Sequence, residues 1–82
     1  MQQKKLPPLK FEIYDDVKVY RTELDRSELR NHHFKRTTAT GEKATVMGYA
    51  ITEEGKAWEY FINVHGTHSY NKWVREIALE MR

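Results

Sequence analysis

Two alternating segments, Ala44–Thr52 and Ala57–His65, flank the linker Glu53-Glu54-Gly55-Lys56, and they limit the fold more than any other stretch of the chain. Apolar and polar side chains that alternate with a period of two mark half-buried strands. Two such runs joined by a short glycine-containing linker make a β-hairpin. Gly55 can take a positive φ without the Cβ clash that other residues suffer. Read as a type I turn with Gly55 left-handed, the linker sets Thr52 opposite Lys56. Ala50 then faces Trp58, Gly48 faces Tyr60, Val46 faces Ile62 and Ala44 faces Val64, so small residues lie against large ones. The other face sets Ile51, Tyr49, Met47 and Thr45 opposite Ala57, Glu59, Phe61 and Asn63. Both faces are therefore partly apolar, although a two-layer protein needs only one.

Beyond the hairpin, Tyr70, Trp73, Val74, Ile77, Ala78 and Met81 recur at spacings of three and four. That stripe predicts a helix over Ser69–Arg82. Thr67 or Ser69 can cap its start, Lys72 and Glu76 form a supporting pair one turn apart, and Arg82 suits the C-terminal end of the dipole. The helix is expected to dock on the Trp58–Tyr60–Ile62–Val64 side of the sheet.

The first half reads less sharply. Residues 1–8 are polar and end in Pro7-Pro8, the composition of a flexible tail, and residues 9–82 form a single domain. Leu9, Phe11 and Ile13 alternate, as do Val17 and Val19, with Asp15-Asp16 between them as a turn. This predicts an N-terminal hairpin over Leu9–Leu24, although Ile13, Val17, Tyr20 and Leu24 also fit one helical stripe. Asp25-Arg26-Ser27-Glu28 has the form of a capping box and could open a short helix through about Phe34. Phe34–Thr40 reads as a strand or a loop, and Gly41-Glu42 turns the chain into the first strand of the central hairpin.

Chemistry is scarce. The chain has 82 residues, no cysteine and a net charge of +2, which excludes disulfides and thiolate metal sites and makes the charge too small to name a partner. His65-Gly66-Thr67-His68 is an H-x-x-H in a loop, not the helical pair of a metalloprotease, and His32-His33 stand far away in sequence. Ser69 and Thr67 lie near histidines with no nucleophile elbow around them. Asp15-Asp16 and Glu53-Glu54 fall in turns, where solvent explains them. Gly41-Glu42-Lys43-Ala44-Thr45 lacks the opening glycine of a phosphate loop and the hydroxyl residue directly after its lysine. The reading is therefore a non-enzymatic protein without cofactor or metal. There is no apolar run long enough for a membrane span and no secretory h-region, so the expected compartment is the cytoplasm.

Two binding surfaces remain. Met47, Tyr49, Ile51 and Phe61, on the second apolar face of the hairpin, have the composition of a protein interface. Coverage of that face by the N-terminal hairpin is the second outcome, and a homodimer burying it is a third. The basic block Arg26, Arg30, Lys35, Arg36 and Lys43, with His32 and His33 inside it, is the nucleic-acid alternative, because such segments neutralise phosphates without reading sequence.

With every element granted, the order becomes helix, three antiparallel strands, helix. That order resembles double-stranded-RNA-binding domains and, in its strand-strand-strand-helix part, the DNA-binding arms of some integrases. Those RNA-binding domains open their last helix with a Lys-Lys-x-Ala-Lys type run that holds phosphates. Here the matching place reads Ser69-Tyr70-Asn71-Lys72-Trp73, which keeps Lys72 alone. The expectation is thus a small α+β domain with an antiparallel sheet of three to five strands and a C-terminal α-helix packed on one face. Its expected role is protein binding, as a regulator or inhibitor of a larger assembly, with nucleic-acid binding as the alternative.

Overall fold

The computed structural model describes residues 6–25, 33–53 and 55–82, with the backbone alone at 24, 25, 33 and 34. Among the described residues seven strands are present: β1 Asp16–Val19, β2 Thr22–Asp25, β3 His33–Arg36, β4 Glu42–Ile51, β5 Trp58–Val64, β6 Tyr70–Arg75 and β7 Leu79–Met81. A 3-10 turn, Glu76–Ala78, joins the last two. Five strands form one antiparallel sheet in the order β6-β5-β4-β1-β7, and β2 pairs with β3 as a separate hairpin.

This order forces the sheet to roll. In a flat sheet the four strand spacings between β6 and β7 would span about 19 Å. A three-residue 3-10 turn rises only about 2 Å per residue, yet it carries the chain from one edge strand to the other. The two edges must therefore curl toward each other. Inside the roll lies one core built from alternate residues: Val17 and Val19 of β1, Val46 of β4, Tyr60, Ile62 and Val64 of β5, and Leu79 of β7. Phe11 closes it from the N-terminal segment, fully buried with its ring edge-on to Tyr60 at 5.3 Å.

The expected α+β class is corrected here: among the described residues there is no α-helix, and Ser69–Arg82 forms β6, the 3-10 turn and β7. The apolar residues at helical spacing do not share a buried face. Tyr70, Trp73, Ile77 and Met81 are all about half exposed, whereas Val74, Ala78 and Leu79 pack inward. Tyr70-Asn71-Lys72-Trp73-Val74 is rich in aromatic and β-branched residues, which fit a pleated surface. Pairing this run along six residues of β5 satisfies backbone groups that would otherwise lie unpaired on the second edge of that strand.

Three other expectations change. The N-terminal hairpin is absent: β1 exists, but residues 6–15 pair with nothing as a strand, and the chain turns at Tyr14, whose φ is +74°. Phe11 alone of its apolar trio is buried, while Leu9 and Ile13 are exposed. Of the helix expected from Asp25 to Phe34, residues 26–32 lie outside the described residues, and its two ends belong to β2 and β3. β3 does supply the strand expected at Phe34–Thr40 in its first residues.

The central hairpin forms with Gly55 left-handed at φ +71°, but its register is shifted by one near the turn. Thr52 N–H donates to the Ala57 carbonyl, so Thr52 is opposite Ala57 and not Lys56. Tyr49 pairs with Tyr60 and Ile51 with Trp58. A bulge at Met47 absorbs the extra residue, and beyond it Val46 faces Ile62 and Ala44 faces Val64 as expected. The bulge keeps the core pairs in place and adds twist, which serves the roll.

Candidate functional site

Between the β2–β3 hairpin and edge strand β6 runs an open groove with two lobes. The larger has a volume of about 580 Å³ and includes Thr22, Glu23, Trp73, Val74 and Ile77 in its lining. The smaller, of about 310 Å³, includes Thr38, Gly41, Glu42 and Tyr70. Tyr20, Arg21 and Lys72 line both lobes and make them continuous.

One wall exists because Arg36 fastens the hairpin to the end of the roll. Its guanidinium lies 4.2 Å from the centre of the Tyr20 ring and donates to the carbonyls of Ile77 and Leu79, each at 3.0 Å. Its second terminal nitrogen is 3.9 Å from Glu80. The Tyr20 hydroxyl donates to the same Glu80 carboxylate at 2.5 Å, and Tyr20 N–H donates to the Ala78 carbonyl. Thr37 N–H donates to Arg21 at 2.8 Å and closes the base of the hairpin. The Tyr20 hydroxyl, with help from Arg36 and Lys18, holds the Glu80 carboxyl below the usual carboxylate range. The same hydrogen bond, with burial and the charge of Glu80, pushes the Tyr20 phenol up.

The other wall is β6. Among the described residues it pairs only with β5, so its second edge faces the groove without a strand partner. On the outer face of the sheet the Trp73 ring packs on Phe61, with centroids 5.1 Å apart. The next row is polar: the Asn63 amide donates to Asn71 at 2.8 Å, and Thr45 shares a 2.7 Å hydrogen bond with His65.

The four residues expected to form a protein-binding face are not brought together. Met47 occupies the bulge, and Phe61 faces outward with Trp73. Tyr49 and Ile51 fall in register with the core-side residues Tyr60 and Trp58, and the Tyr49 ring meets Trp58 edge-on at 5.6 Å. The indole N–H of Trp58 donates to the Pro7 carbonyl at 2.7 Å, so the N-terminal segment crosses this end of the sheet.

The basic block is also dispersed. Lys35 is 3.7 Å from Glu23, and Arg36 is the clasp just described. Lys43 is exposed and paired in register with Lys18. Arg26, Arg30 and His32 lie outside the described residues, and of His33 only the backbone is described. Among the described residues no group of three or more His, Cys, Asp or Glu could hold a metal ion, and no helix is long and apolar enough to cross a membrane.

The residues that line the groove were hidden from sequence reasoning. Trp73 and Ile77 read as a helix's buried stripe, and Tyr20 and Arg21 as part of an N-terminal hairpin. The one available signal is compositional: Tyr70, Trp73 and Val74 are aromatic or β-branched residues that favour a strand. No protein-family model, curated protein or solved structure matches this chain.

Proposed function

We propose that the chain is a small non-enzymatic protein-binding module that takes its partner in the groove between the β2–β3 hairpin and β6. The observation that carries this reading is the pairing of a peptide-sized groove with an edge strand flanked by exposed Trp73 and Ile77. Natural proteins usually blunt or cover such edges, and an open one beside a groove with aromatic anchors is a docking feature. Regulation or inhibition of a larger assembly is the role this size and surface suit. The test is affinity purification from native lysate, with and without nuclease, using the wild-type chain and Trp73→Ala. Nuclease-resistant capture of a protein that is lost with Trp73→Ala supports the reading. Capture that ignores Trp73 overturns it.

Nucleic-acid binding is the second reading, favoured by the exposed Lys18–Lys43 pair beside His65 and by the Phe61–Trp73 rings on the same outer face. It predicts affinity for oligonucleotides that falls steeply with salt and weakens on Lys43→Ala.

A further inference from the structure

Resting on the groove reading above, we infer that the partner enters as an extended segment with a carboxylate side chain at its centre, adding a strand to the open edge of β6. Three observations converge on this. β6 is a six-residue strand with pairing on one side only among the described residues, long enough to template another strand through its backbone groups.

Arg21 and Lys72 stand where the two lobes meet, and among the described residues neither forms an ion pair. Lys72 is half-buried, in register with core residue Ile62, and its ammonium has the Tyr70 ring at 5.7 Å as its cation–π neighbour. A cation with no acidic partner beside it is matched by an incoming carboxylate through a charge-assisted hydrogen bond.

Among the described residues the nearby acids are engaged elsewhere: Glu23 with Lys35, Glu80 with Tyr20 and Arg36. Glu59 lines only the larger lobe, where it is in register with Arg75, and Glu42 lines only the smaller. The centre is therefore positive. Val74 in one lobe and Tyr70 in the other share the face of β6 that carries Lys72 and, with Ile77, offer apolar contacts on either side of it. Side chains two residues apart on a strand point the same way, about 7 Å from each other. The matching segment thus has the form apolar–x–acidic–x–apolar.

Panning the immobilised chain with displayed random peptides of about nine residues tests this. The expected winners carry Asp or Glu at a fixed position between apolar ones. A synthetic winner should lose roughly tenfold or more in affinity against Lys72→Glu and against Arg21→Glu, with circular dichroism confirming that at least one of these variants is folded. N-methylation of alternate peptide amides should weaken it similarly.

Winners without a fixed acidic position, indifference to both charge reversals, or indifference to N-methylation overturns the inference. If those winners still require Trp73, the groove reading survives and only the strand-and-carboxylate mode falls. Winners that also ignore Trp73, or a sheet-edge dimer of the chain itself in sedimentation velocity that excludes every peptide, overturn both.

Discussion

The guanidinium of Arg36 lies 4.2 Å from the centre of the Tyr20 ring while its nitrogens hold the carbonyls of Ile77 and Leu79. One side chain on β3 thereby ties the hairpin to the turn that closes the roll. A residue that reads as a phosphate contact in the sequence serves as an internal clasp.

Arg36→Ala should lower stability by about 1–3 kcal/mol, because two carbonyls lose a charged donor and a ring loses its cation. Arg36→Lys should recover little, since an ammonium cannot reproduce the planar fork over the ring. Urea unfolding measures both. A wild-type midpoint in Arg36→Ala would refute the clasp.

The Tyr20–Glu80 hydrogen bond should make stability depend on pH at both extremes. Glu80 has a lowered pKa, so its contribution is present above the ordinary carboxylate pKa and is lost as pH falls through the depressed value. Tyr20 has a raised pKa, so its contribution is present below the ordinary phenol pKa and is lost as pH rises through the elevated value. Unfolding curves of wild type and Tyr20→Phe should therefore differ near neutrality and converge in acid. A difference that persists at a pH of about 2 would contradict this.

Two glycines should respond differently to a methyl group. A Cβ on Gly41 would sit 2.9 Å from the Lys18 Cβ and 3.0 Å from the Tyr20 ring, so Gly41→Ala should cost about 1–3 kcal/mol through overpacking. Gly55 has open space around it and a φ of +71°, so Gly55→Ala should cost about 1 kcal/mol through backbone strain alone. Thermal unfolding ranks the two.

Phe11→Ala should cost about 3–5 kcal/mol, as expected for a fully buried ring. Leu9→Ala, at an exposed position two residues earlier, should fall within about 0.5 kcal/mol of wild type. Equal costs would mean that residues 9–13 form the symmetric strand that their alternation suggested.

Much of the central hairpin is legible in the sequence. Alternation fixed both strands, and Gly55 announced the left-handed turn. The core pairs Val46–Ile62 and Ala44–Val64 followed from counting. The shift near the turn was not legible, because nothing in Val46-Met47-Gly48 requires a bulge until the sheet must roll. The groove was less legible still. Trp73, Ile77 and Tyr70 satisfy a helical period, and local spacing cannot say whether a stripe of large side chains is buried by a sheet or left outside one.

By itself, the sequence determined a single antiparallel hairpin with a small, close-packed interior, since period-two alternation and one glycine are local properties of the chain. Tertiary structure alone decided that residues 70–81 form two strands around a 3-10 turn, that Arg36 lies over the Tyr20 ring, and that β6 is left as an open edge. Those outcomes depend on which backbone groups find partners across the sheet. Pairing over distances of forty residues or more, such as Arg36 with Ile77 and Leu79, leaves no trace in the spacing of neighbours.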